Sequence, residues 1–133
     1  MHEIKTILKT LSATAGGWLG YFLGGFDSLL RALVYFAVAD CITGVLRAVY
    51  GQQLNSRSCF KGMAKKSLVF VLVGVSHIFD LYVIGDGSVT RTATIFFYLA
   101  CEGISILENS AALGLPMPDK LKSALNGVRG VGR

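Results

Sequence analysis

Two stretches decide the fold: residues 29–50, LLRALVYFAVADCITGVLRAVY, and residues 67–84, SLVFVLVGVSHIFDLYVI. The centre of the first, residues 32–46, is interrupted only by Asp40. The second is rich in Val, Leu and Phe, which by composition alone would also suit a strand, but its uninterrupted length predicts a helix. At about 1.5 Å of rise per residue, 18 to 22 residues approach the roughly 30 Å hydrocarbon thickness of a bilayer. Composition agrees. Apolar residues make up 53% of the 133-residue chain and charged residues 16%, against about 25% charged in a soluble domain. Lipid is the solvent this balance fits, and the length suits one membrane domain over residues 1–133.

Working outward, two further apolar runs emerge. Residues 11–26 carry no charge, and Gly16, Gly20 and Gly24 recur every fourth position. So much glycine is costly in a water-exposed helix, but in a membrane it makes a face where another backbone can approach closely. Lys5 and Lys9 before this run resemble the start of a signal peptide. No small-x-small cleavage site follows, so an uncleaved helix is expected. Residues 92–107 form the fourth run. Asp27-Ser28 separates the first pair of runs and can cap the second helix. Gly85-Asp86-Gly87-Ser88 reads as a tight turn, and residues 51–66 as a polar connector. Gly114, Pro116 and Pro118 end the last helix. Residues 119–133 form a basic tail whose Gly-rich end predicts mobility.

Four spans would place both termini on one side. Lys5, Lys9, Arg47, Arg57, Lys61, Lys65, Lys66, Lys120, Lys122, Arg129 and Arg133 would then share that side, with only Arg31 and Arg91 opposite. By the positive-inside rule this predicts cytoplasmic termini. Arg47, Arg57, Lys61, Lys65, Lys66, Lys120 and Lys122 are the expected contacts for lipid headgroups. The alternative is three spans with the glycine-rich N-terminal segment lying on the membrane. The net charge of +5 is thus read as topology, not nucleic-acid binding.

Charged groups at bilayer depth cost a few kcal/mol each and need partners or water. Here they fall at helical spacing. Asp40, Thr43, Gly44 and Arg47 share a stripe of the second helix; His77 and Asp80 are three apart on the third; Glu102, Ser105 and Asn109, with Glu108 beside them, mark the fourth. Each helix therefore carries one polar seam. The seams either meet and pair inside one bundle, for example Asp40 with a basic side chain, or line a water-filled path or a contact between subunits. A proton relay through His77, Asp80 and Glu102 is a third arrangement. No HExxH, GxSxG or phosphate-loop pattern is present, so no enzyme, cofactor or metal is expected. Cys41, Cys59 and Cys101 are odd in number and lack a CxxC pair, which fits small apolar side chains better than a disulfide framework or a zinc site.

Three blocks carry a resemblance. Asp40-Cys-Ile-Thr43-Gly44 followed by Ala48 is similar to a D-x-x-T-G-x-x-x-A motif. Asn55-Ser56-Arg57, then Gly62, Lys65 and Lys66, is similar to an N-S-x…G-x-x-K-K connector. Glu102-Gly-Ile-Ser105-Ile106-Leu-Glu108-Asn109, then Gly114, Pro116, Pro118 and Leu121, is similar to an E-x-x-S-I-x-E-N…G-x-P-x-P ending. In this order they resemble the phage lysis and toxin-secretion holin family, leaving the first segment outside. The resemblance implies an all-α, homo-oligomeric protein of the bacterial cytoplasmic membrane that opens lesions. A murein hydrolase, or in some relatives a toxin, would cross through them without direct contact being implied. A small channel or transporter subunit and a non-conducting membrane scaffold are the competing expectations.

Overall fold

The computed structural model describes residues 1–131, with side chains through Ala124. Arg133 lies outside the described residues, as does the side chain of Arg129. Among the described residues five α-helices follow one another: α1 (His2–Leu23), α2 (Ser28–Tyr50), α3 (Ser56–Phe79), α4 (Val89–Ala112) and α5 (Asp119–Val131). The described residues contain no strand. α3 runs on into a π-helical segment, Asp80–Ile84. Its wider turn shows in the Gly85 amide donating to the Asp80 carbonyl at 2.9 Å, five residues back.

Local chemistry sets most boundaries. Asp27 caps α2, its carboxylate accepting from the Leu30 amide at 3.0 Å. Asn55 caps α3 through the Arg57 amide at 2.9 Å. α1 stops at Gly24, whose φ of 85° is left-handed, the conformation glycine adopts at least cost. One sequence expectation changes. The connector shrinks to residues 51–55, because the Asn55 cap starts α3 about three turns before the apolar run and puts Arg57, Lys61, Lys65 and Lys66 on the helix. α1 begins at His2, ahead of the apolar run of residues 11–26. Its Thr6, Thr10 and Thr14 hydroxyls donate to the carbonyls four residues back and so stay satisfied in a helix. The tail forms helix α5 through Val131, and the last two residues of its Gly-rich end lie outside the described residues.

α2 and α4 make the most extensive contact. They run parallel: Asp27 meets Arg91 at one end, and Thr43 meets Asn109 near the other. α3 is antiparallel to α4, with Ser76 against Thr94 and Lys66 against Glu102. α1 touches α3 near its own C-terminus. There Gly74 lies under Phe22 so closely that an added Cβ would overlap the ring.

The buried stripes are heptad-like. On α2, Leu30, Leu33 and Ala37 are buried and Asp40 follows on the same stripe; on α3, Val73 and Asp80 continue the line from Lys66; on α4, Arg91, Ile95 and Glu102 are buried. The interior thus holds Asp80, Arg91 and Glu102, while Tyr35, Ile42, Leu46, Leu68, Val71, Val75, Phe96 and Phe97 stand exposed. An apolar exterior around an interior that mixes Leu23, Leu30, Leu33, Val73 and Ile95 with buried charges is unlike a water-soluble protein's. α2 and the continuous run Ser56–Ile84 are both long and apolar enough to cross a membrane.

Candidate functional site: two charged clusters in an apolar bundle

The first cluster closes one end of the bundle. Arg91, 3% exposed, projects from the first turn of α4 into the α1–α2 connection. Its Nε donates to the Leu23 carbonyl at 2.6 Å and its Nη2 to the Gly25 carbonyl at 2.9 Å. Nη1 and Nη2 also donate to the two Asp27 carboxylate oxygens at 2.7 and 3.2 Å. One planar guanidinium thereby satisfies the carbonyl end of α1 and pairs with the cap of α2. Asp80 completes the arrangement from below. It is fully buried, and its two oxygens accept from the Thr90 and Arg91 amides at 3.0 and 2.9 Å. A carboxylate at a helix N-terminus is favoured by the helix dipole. Gly24 and His77 pack here; a Cβ on Gly24 would come 2.7 Å from Arg91 Nε and 2.8 Å from His77 Nδ1.

The Arg91 guanidinium holds the Asp27 carboxyl below its ordinary range against the opposing effect of burial, and the bond from the Leu30 amide adds to the lowering.

The second cluster lies midway along the bundle. Lys66 Nζ, from α3, bonds Asp40 Oδ2 on α2 and, at 2.8 Å, Glu102 Oε2 on α4. Asn109 Nδ2 donates to Asp40 Oδ1 at 3.0 Å and lies 3.1 Å from the Thr43 hydroxyl. Thr43 itself donates to the Ala39 carbonyl at 2.9 Å. Arg47 donates to Asn109 Oδ1 at 3.3 Å. The three charged side chains retain 20% (Lys66), 13% (Asp40) and 9% (Glu102) exposure. Every buried side-chain nitrogen and oxygen among the described residues has a partner.

Of the residues singled out from sequence, Asp40, Thr43, Glu102 and Asn109 meet in this second cluster, and Arg47 reaches its edge. Ser105 and Glu108 are half-buried on the same helix. His77 and Asp80 belong to the first cluster, so the relay His77–Asp80–Glu102 is not assembled in one place. Gly44 packs 3.6 Å from Asn109 Nδ2, measured from an added Cβ. Gly20 faces Phe26, Gly16 faces open space, and Gly24 is a helix cap. Lys66 departs from the expected headgroup contacts: with α3 starting at Ser56, it points into the bundle. Arg57, Lys61, Lys65, Lys120 and Lys122 stay exposed.

Sequence reading missed Arg91, counted only as a minority charge, and the bridging role of Lys66. The signal was present. Lys66, Val73 and Asp80 repeat at seven, and Arg91, Ile95, Glu102 and Asn109 follow one helical stripe. Gly74 was passed over because a lone glycine inside an apolar run carries no sign of what approaches it.

The bacteriophage holin family matches residues 17–130 of the chain, a span that starts in the part of α1 leading to the Arg91 cluster. The chain is 43% identical over 122 residues to the Listeria monocytogenes protein Lmo0128, covering 92% of this chain and 86% of that one. It is 36% identical over 125 residues to a 14.9 kDa protein of Clostridium perfringens, covering 94% and 95%. It is 35% identical over 105 residues to the "Probable holin" of Bacillus phage phi105, covering 79% and 77%. No solved structure matches significantly. With most of its length matched, the chain belongs to the bacteriophage holin family.

Proposed function

We propose that this protein accumulates in the bacterial cytoplasmic membrane, oligomerises with itself and permeabilises it, so that an endolysin or a secreted toxin can cross. The observation that carries this reading is the polarity of a holin-family chain: an apolar exterior around two charged clusters. Lipid is as apolar as leucine, so helices in it associate through close packing and polar contacts. A bundle whose interior is glued by charges can exchange those internal partners for water and for other copies.

α1 is read as a span too. Its 22 residues reach about 33 Å, and Arg91 pins its C-terminus beside the start of α4. Crossing from that joint would bring its N-terminus to the opposite end, with the basic residues of α3 and the tail. Four spans with both termini in the cytoplasm follow, with Arg57, Lys61, Lys65, Lys120 and Lys122 at anionic headgroups. A helix of this length lying on the outer surface instead would leave Lys5 and Lys9 on the wrong side.

Controlled expression in a bacterium tests the reading. Growth should stop and the membrane potential collapse once the protein has accumulated, and a folded cytoplasmic reporter enzyme should then be released when a murein hydrolase is present. Abundant membrane-inserted protein with the potential intact would overturn it and favour a scaffold. Depolarisation with the reporter retained would instead favour a small channel or transporter subunit.

A further inference from the structure

The mid-bundle cluster is unbalanced. Lys66 supplies one ammonium to two carboxylates that come from two different helices. Their neighbours Asn109 and Thr43 are neutral, and Arg47, the cation at the edge, bonds Asn109 and is exposed. With both carboxylates ionised, one negative charge is left over at the interface where α2 and α4 pack most extensively. Lysine is a compact point charge on a flexible four-carbon stem, unlike the rigid fork of arginine, and is readily withdrawn. If Lys66 leaves, Asp40 and Glu102 face each other uncompensated in a medium where a charge without a partner is expensive. Both then gain by turning to water.

We propose that Lys66 is the latch of the closed bundle: it ties α2, α3 and α4 by bridging Asp40 and Glu102, and permeabilisation begins when that bridge opens. This rests on the membrane-permeabilising reading given above. The latch has a sign that a purely structural role lacks. Lys66→Met removes the compensation and favours opening. Glu102→Gln removes the surplus charge, keeps the Lys66–Asp40 pair and takes away one group that gains from water, so it favours the closed form.

The test is the amount of membrane-inserted protein at which depolarisation starts, measured in cells for the wild type and both variants. Lys66→Met should depolarise at about half the wild-type level or less, and Glu102→Gln should need about twofold more. The exchange Asp40→Lys with Lys66→Asp should move the onset back toward the wild type. Equal onsets, or both variants shifting the same way, overturn the latch while leaving the permeabilising reading standing. A wild type that never depolarises overturns that reading itself. If Lys66→Met fails to accumulate, the direction of the Glu102→Gln shift decides alone: a delay supports the latch, and no change or an advance refutes it.

Discussion

The two charged clusters occupy the same bundle and solve the same problem in opposite ways. At the end of the bundle, Arg91 and Asp80 bond mainly to backbone: helix-terminal carbonyls that have no partner within α1, and helix-terminal amides that have none within α4. Charges there sit where the dipoles want them: Asp27 pairs with the Arg91 guanidinium, and the second carboxylate, Asp80, is held by the amides at the N-terminus of α4. In the middle, helix backbones are already satisfied, so among the described residues Lys66, Asp40 and Glu102 bond one another and Asn109. The end cluster is a staple. The middle cluster depends on one flexible ammonium. A membrane bundle that must be stable and then open needs both, and the difference follows from where along a helix the charges fall.

The comparison breaks most sharply at Arg91. Replacing it with leucine strips partners from the Leu23 and Gly25 carbonyls and from Asp27 at once. The expected loss is about 3–5 kcal/mol, the range for breaking a buried charge network on one side. The detergent-purified variant should show a much lower unfolding temperature than the wild type, and membrane accumulation should fall. Arg91→Lys should recover only part, since an ammonium cannot present the planar fork that meets two carbonyls and a carboxylate together. Full stability in Arg91→Leu would mean the end cluster is ornamental, and the contrast with the middle would collapse.

A smaller effect is expected at Gly74, which sets how α1 joins the rest. An alanine there drives a methyl into the Phe22 ring, so the ring or the helix must move. Overpacking of this kind costs about 1–3 kcal/mol. Phe22→Ala in the same chain should recover most of it by clearing the space, although it is itself mildly destabilising. A double-mutant cycle on unfolding temperature measures the coupling; additive losses would show that α1 does not rest on α3 at this point.

The extent to which sequence revealed this follows from the physics. Apolar runs and the basic residues between them mark helices at low resolution, because length and hydropathy are local properties. Polar seams were legible for the same reason: Asp40 with Thr43, and Glu102 with Asn109, lie at helical spacing wherever the helices go. Pairing was not. Lys66 looked like a connector residue because four basic residues close together read as a water-exposed loop, and only the Asn55 cap shows that α3 has already begun. Arg91 looked like a stray charge on the less basic side, since its partners are backbone carbonyls 66 and 68 residues away, and carbonyls leave no mark on a sequence. The glycine period at 16, 20 and 24 suggested one packing face, yet Gly24 serves differently, as a left-handed cap that admits the Arg91 side chain.

The mildest expected effect lies at the outer edge of the end cluster and sharpens the contrast by pH. Asp27 sits on the α1–α2 connection with its side chain 48% exposed, and the bonded Arg91 guanidinium lowers its pKa below the unfolded value of 3.8. A carboxylate with a depressed folded pKa adds stability that is fully present above the unfolded value and is lost as pH falls through the folded one. The purified protein should thus lose a small part of its thermal stability between about pH 4 and the lower folded value, and Asp27→Asn should remove that part of the acid dependence. Solvent screening keeps the effect slight, because half the carboxylate already meets water. Arg91 would still hold the Leu23 and Gly25 carbonyls after Asp27 is protonated, so the staple should survive acid that removes the charge on Asp27. An acid transition as large as the loss in Arg91→Leu, and abolished by Asp27→Asn, would show instead that the ion pair, and not the backbone contacts, closes this end of the bundle.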